Sequence, residues 1–282
     1  MLKVGLSTAN AQSVTEERFE KYAEAGITYM EISKSMMFES LNYGDILKWS
    51  KKYGVELWSF HLPFGPFSKI DISSADKQIR TFTLEYFVEI MKKAADIGIK
   101  RFVIHPSGEP ISDSERSERM KYSADSLFVL ADKAAEFGTV IAVENLPRTC
   151  LGRNSAEINE LISANRKLRV CFDTNHLLKE DISDFIKNVG AKIITLHVSD
   201  YDIVDEKHWL PGEGVVDWNM VYNSLRKIGY TGPWMYEIKL ETPKTIERSR
   251  ALTYFDFVRN AKEIFEGKPL TVFGTPTGKP FM

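Results

Sequence analysis

Cysteine is nearly absent. Only Cys150 and Cys171 occur in 282 residues, and no C-x-x-C pair is present, which argues against a disulfide framework and points to a reducing compartment. No apolar stretch approaches the length of a membrane span, so none is expected. Neither sign of charge is in excess: 37 Lys and Arg stand against 39 Asp and Glu, a formal net charge of −2. That balance supplies no overall attraction for nucleic acid or anionic membrane. No basic-then-apolar leader precedes the first strand candidate at Lys3, so a cytoplasmic protein is expected. What remains, 43% apolar and 27% charged residues, is the make-up of an ordinary globular chain.

Short β-rich runs alternate with longer amphipathic ones. The strand candidates are 3–8, 29–33, 55–61, 101–105, 140–145, 168–173, 193–198 and 234–238. Most are continuously apolar, as parallel strands buried on both faces must be. Between them, "TEERFEKYAEAG", "DKQIRTFTLEYFVEIMKKAADIG" and "SERMKYSADSLFVLADKAAEFG" have helical periodicity and end in a glycine suited to a helix C-terminus. Eight such βα units in about 265 residues match a single α/β domain, a (β/α)₈ barrel. A doubly wound open sheet is the rival, but it would have fewer strands and a switch point. The expected division is a barrel over 1–267 and a Pro/Gly-rich tail over 268–282, packed beneath the barrel or against a partner chain.

In such barrels reactive groups gather at the C-terminal ends of the strands. From the third strand onward these ends carry His61, His105, Glu144, Asp173 with His176 just beyond, His197 and Glu237. The loop "SDYDIVDEKHWLPGEG" adds Asp200, Glu206 and His208, so all five histidines fall at strand ends or directly after them. A single such His is usually a hydrogen-bonded core or surface group; the joint pattern points to a shared metal site. Its core would be Glu144, Asp173, His197 and Glu237, from four consecutive strands. Three carboxylates and an imidazole, without thiolate, suit Mn²⁺, Mg²⁺ or Co²⁺, with Zn²⁺ also compatible.

These residues carry a resemblance. "AVENLP", "CFDTNHLL", "TLHVSDYD", "HWLPGEGVVDW" and "MYEIK" resemble the xylose isomerase-like TIM-barrel superfamily, in particular its sugar isomerase/epimerase branch. The resemblance implies that Glu144, Asp173, His197 and Glu237 bind one divalent metal and that the two glutamates also act as acid and base. It implies substrate contacts for His176 and for His208, which stands where ketose epimerases often have Arg. A relative, endonuclease IV, is similar in using nine ligands for three metals. Its pattern maps onto His61, His105, Glu144, Asp173, His176, His197, Glu206, His208 and Glu237, with Glu206 where that family has Asp. The first reading implies a sugar or sugar phosphate ligand, worked on through an enediolate; the second implies phosphodiester hydrolysis. The near-neutral charge favours the first, since DNA binding calls for a basic face. A homo-oligomer is compatible with either.

Further substrate contacts are expected less specifically. Trp209, Trp58, Phe64 and Phe67 are placed by the sequence in or near top loops, where rings cover sugar faces or pack under a loop. Arg148 and Arg153 could bind a phosphate or carboxylate, or simply order their loop. Lys239, two residues after Glu237, would share its facing on a continued strand. Glu31 could meet a sugar hydroxyl or form an interior salt bridge.

Overall fold

The computed structural model describes residues 3–9, 14–33 and 38–279. Eight parallel strands form the ring: β1 (Val4–Ser7), β2 (Tyr29–Ser33), β3 (Glu56–His61), β4 (Arg101–Ile104), β5 (Val140–Glu144), β6 (Arg169–Asp173), β7 (Ile193–His197) and β8 (Trp234–Tyr236). Neighbours follow chain order, β8 pairs with β1, and a parallel bridge between Val198 and Tyr236 closes the circle. Eight helices among the described residues alternate with the strands: α1 (Glu16–Ala25), α2 (Tyr43–Tyr53), α3 (Lys77–Asp96), α4 (Asp113–Glu136), α5 (Ser155–Ser163), α6 (Ile182–Val189), α7 (Trp218–Lys227) and α8 (Tyr254–Phe265). This is a single (β/α)₈ barrel. None of these helices is long and apolar enough to cross a membrane.

The local chemistry explains the boundaries. Asn42, Asp76, Asn154 and Asp217 each accept a backbone N–H at a helix start, satisfying donors the helix cannot. After α1, Gly26 takes φ 87°, a conformation that L side chains resist. Outward-facing strand residues such as Phe60, Phe102 and Phe172 join the main core beneath the helices. Inward-facing Val103, Ala142 and Cys171 make a small separate cluster inside the ring. Each lies two residues before a strand-end group, His105, Glu144 or Asp173, and period-two alternation turns both the same way. The apolar residues thus form the seat on which the ionisable groups rest.

Two expectations need correcting. The eighth strand ends at Tyr236 rather than 238. The described part of the tail, residues 268–279, does not pack beneath the barrel. Leu270 lies on Gly212, where a Cβ would come within 3.0 Å of it, and β10 (Gly274–Pro276) pairs antiparallel with β9 (Ile246–Arg248) in the loop after β8.

That loop is anchored by an ion pair. Arg248 Nη2 and Nε lie 2.6 and 2.9 Å from the two carboxylate oxygens of Glu213, and both side chains are 0% exposed. Glu213 also accepts the Leu210 N–H at 2.9 Å, so the pair ties the "PGEG" turn to β9. Glu213→Ala leaves a buried guanidinium without its anion. It is expected to lower stability by about 3–5 kcal/mol, read from urea denaturation. A change below about 1 kcal/mol would show that water relieves the charge.

Candidate metal centre and its pocket

Strand ends position the site: β3, β5, β6 and β7 end in His61, Glu144, Asp173 and His197, and His105 and Glu237 directly follow β4 and β8. Oxygen and nitrogen atoms of Glu144, Asp173, His197 and Glu237 lie within 4.8 Å of one another. Glu144 is at the centre. Its Oε1 is 2.9 Å from His197 Nδ1, and its Oε2 is 3.1 Å from His61 Nε2 and 3.3 Å from His105 Nε2. On its other side, His197 Nδ1 is 3.4 Å from Glu237 Oε2 and 3.7 Å from Asp173 Oδ2.

Four of the five imidazoles are oriented from behind. His61 Nδ1 lies 2.8 Å from the Leu62 carbonyl, His176 Nδ1 2.9 Å from that of Asn145, and His208 Nδ1 3.0 Å from that of Glu237. A carbonyl oxygen only accepts, so each of these Nδ1 atoms carries the proton and Nε2 is the ligand-capable nitrogen. His197 is the reverse. Its Nε2 lies 2.9 Å from Glu31 Oε1, whose Oε2 accepts the Ser59 hydroxyl at 2.7 Å. The carboxylate holds Nε2–H and turns Nδ1 toward Glu144, Asp173 and Glu237, the arrangement by which outer partners orient metal ligands. Glu31 is therefore an interior partner of His197, 0% exposed, rather than a sugar contact.

The electrostatics fit a cation. Burial, with Glu144 and Glu237 close by, pushes the Asp173 carboxyl up to about 8 despite His176 and His197. Its Oδ1 accepts the Asn175 N–H at 2.6 Å, while Oδ2 is buried with no hydrogen-bond partner among the described residues. Such an orphaned oxygen normally has an explanation in a ligand or ion. Burial alone would raise Glu144 too, but His197 and His105 hold it well below the usual carboxylate range. Burial opposes the charged form of His176, yet Asp173 and Glu206 outweigh it and raise the imidazole to about 10. Glu206 is half-buried, which would raise it, but the hydrogen bond from His176 brings it down to about 2. A hard divalent cation between three carboxylates and an imidazole meets each of these features.

Two flanking groups share the site. His61, His105 and Glu144 converge on one side, and His176, Glu206 and His208 on the other. Above them is a cavity of about 190 Å³, which Glu144, Glu206, Glu237, four of the histidines, Phe64, Phe67 and Arg148 help to line. Phe64 stacks on His105 at 4.7 Å between ring centroids.

Other expected contacts lie elsewhere. Trp209 is 2% exposed, its Nε1 donating to Thr245, so its ring supports the loop and does not face the cavity. Lys239 is exposed and outside the lining, because the strand ends before Glu237 and alternation no longer applies. Trp58 sits near the lower end of β3, with Arg101 stacked on it. Arg148 does line the cavity, but its guanidinium is bound to Glu109, Asp205 and Glu206 at 2.7, 2.8 and 3.2 Å. Arg153 pairs with Glu157.

Two residues were not foreseen from the sequence. Asn145 brackets Asp173 through both backbone groups, donating to its carbonyl and accepting its N–H, and its position directly after Glu144 was the available signal. Glu109 neutralises Arg148 from the loop after β4, and nothing local marks it.

Comparison with known proteins agrees with this fold. The uncharacterized protein MJ1311 of Methanocaldococcus jannaschii is 25% identical over 76% of this chain and 75% of its own length. A probable endonuclease 4 of Aquifex aeolicus is 27% identical over 62% and 68%. Among solved structures, a D-tagatose 3-epimerase-like protein superposes with a TM-score of 0.80 and 23% identity, covering 94% of this chain and 97% of that one. Further relatives and structural neighbours are sugar epimerases and isomerases. The family pattern of the xylose isomerase-like TIM barrel matches residues 19–255, and the chain belongs to that family.

Proposed function

We propose that the chain is a divalent-metal-dependent sugar isomerase or epimerase that moves a proton at a carbon next to a carbonyl. The observation that carries this reading is the pairing of Glu144 and Glu237. Both line one small cavity, and both reach the same His197 nitrogen from different parts of the ring. A cation held by Glu144, Asp173, His197 and Glu237 would act as a Lewis acid toward a substrate carbonyl. The two glutamates would serve as base and acid on opposite faces of the sugar, one taking the carbon-bound proton to give an enediolate and the other returning one. Phe64, stacked on His105, offers a face for apolar C–H groups. Among the described lining residues Arg148 is the one Lys or Arg, and three carboxylates already neutralise it. That lining therefore suits an uncharged ketose better than a phosphorylated one or a phosphodiester. Relatives named inosose isomerase and L-ribulose-5-phosphate 3-epimerase support the isomerase or epimerase reading, though the second is named for a phosphorylated sugar.

One observation favours a second reading, a phosphodiester hydrolase with several metals. The two flanking donor groups each resemble a further cation site, and Nε2 is the inward nitrogen of His61 and His176. Metal content after purification without chelator separates the readings. About one ion per chain, with solvent deuterium entering a ketose in D₂O, is the expected result. About three ions, with cleavage of an abasic-site duplex and no exchange, would replace the sugar reading by the hydrolase.

A further inference from the structure

A second cavity, of about 590 Å³, opens at the opposite end of the barrel. Its volume is in the range of small-molecule pockets. Its wall includes the first residues of β4, β5, β6 and β7 and the loop before β8. Lys100, Arg101 and Arg169 line it, and among the described residues no Asp or Glu does. In this fold the N-terminal face ordinarily serves stability, a role in which charges at strand starts would be paired with one another.

They are not paired here. Other arginines of the chain face carboxylates: Arg116 meets Glu157, Arg119 meets Asp71, and Arg248 meets Glu213. Among the described residues no carboxylate oxygen comes within the 4.0 Å of an ion pair for Lys100, Arg101 or Arg169. Arg101 instead lies flat on Trp58, its guanidinium carbon 3.4 Å from a ring centroid, with one long contact of 3.5 Å to the Trp58 carbonyl. Arg169 uses Nη1 alone, on the carbonyls of Arg166 and Leu168 at 2.9 and 2.8 Å. Burial holds Arg101 below its ordinary pKa, opposed only by Tyr230 and the exposed Glu56. A guanidinium fixed on an aromatic face keeps its edge free and pre-oriented, and such forks match the oxygens of a phosphate bidentately. Thr139 and Thr231 belong to the same wall, the Thr139 hydroxyl donating to the Ala134 carbonyl at 2.8 Å.

We propose that this floor cavity binds a phosphate-bearing small molecule, at a site separate from the carboxylate-rich pocket on the other face. The charge contrast between the two ends is the reason: one cavity is lined by acids with its arginine neutralised, the other by cations with no acid. A phosphate excluded from the first is suited to the second. The free volume exceeds what inorganic phosphate fills, so either a phosphate alone or a phosphomonoester such as a nucleotide can supply the recognised group.

Isothermal titration of the full chain with inorganic phosphate and with AMP tests this. Saturable binding is expected, weakened about tenfold by Arg169→Gln through loss of a charge-assisted contact and by a smaller factor by Lys100→Gln. Metal content of the other face should stay unchanged. Arg101→Gln should weaken binding as well, but that side chain also covers Trp58. The deciding variants are therefore Arg169→Gln, which gives up only backbone contacts, and Lys100→Gln, at an exposed position. AMP binding more tightly than phosphate would assign the remaining volume to the nucleoside; equal affinities would assign recognition to the phosphate alone. Absence of saturable binding to both probes, or affinities unaltered in both deciding variants, would overturn the proposal.

Discussion

Glu144→Gln is expected to lower turnover about 10³-fold and to stop solvent deuterium entering the substrate. The substitution keeps the shape and removes the charge that His61, His105 and His197 all face at 2.9–3.3 Å. It also replaces one carboxylate oxygen by an NH₂, which can neither ligate a cation nor accept a proton. With the carboxylate gone, the proposed acid–base pair has a single member and the proposed cation would lose a charged ligand. Glu237→Gln should resemble it in exchange while disturbing the histidines less, because Glu237 contacts His197 alone among them at 3.4 Å through its side chain. Exchange at the parent rate in both variants would rule out proton transfer by these groups.

Removal of the metal is expected to produce the second large effect: complete loss of activity, restored by Mn²⁺, Co²⁺ or Mg²⁺, and a stability that becomes dependent on pH. Asp173, at about 8 in the cation-free site, lies above the ordinary carboxylate value, and His176, at about 10, lies above the ordinary imidazole value. For both, the folded chain holds a proton that the unfolded chain has released, so the slope of stability with pH is negative in those windows. The Asp173 contribution is fully present below about pH 4 and is lost as pH rises through about 8. That of His176 is present below about 6.5 and is lost through about 10. Metal-free protein should therefore melt at falling temperature from pH 6 to 9. A cation bound at the proposed site would take the place of the Asp173 proton, so its affinity and its stabilisation should grow over the same range, by about 2.7 kcal/mol where free metal reaches a hundred times its Kd. Melting curves that superimpose with and without metal at every pH would show that Asp173 is not a ligand.

The outline of the fold was legible because its signals are local. Apolar strands a few residues long, helical periodicity between them and terminal glycines define eight units, and the observed strands Tyr29–Ser33, Glu56–His61 and Arg169–Asp173 lie within one residue of the expected spans. Alternation turns the last residues of β5, β6 and β7 inward, which is why Glu144, Asp173 and His197 could be grouped before any coordinates. Arg148 shows where that reasoning stops. Its partners Glu109, Asp205 and Glu206 are 39, 57 and 58 residues away, and their loops meet only once the ring has closed. Trp209 is similar. A tryptophan in a top loop reads the same whether it covers a ligand or a turn, and the hydrogen bond to Thr245 decides in favour of the turn.

The chain's own pattern of hydrophobicity and punctuation determined that a barrel forms, and which ionisable groups stand at its upper rim, since alternation and helical period act over a few residues. Three matters were decided only in three dimensions: which of those groups touch, the neutralisation of the one lining arginine, and the uncompensated cations at the lower end. Charge pairing depends on separation in space, and strand starts or loops far apart in sequence acquire that separation only when the sheet closes on itself.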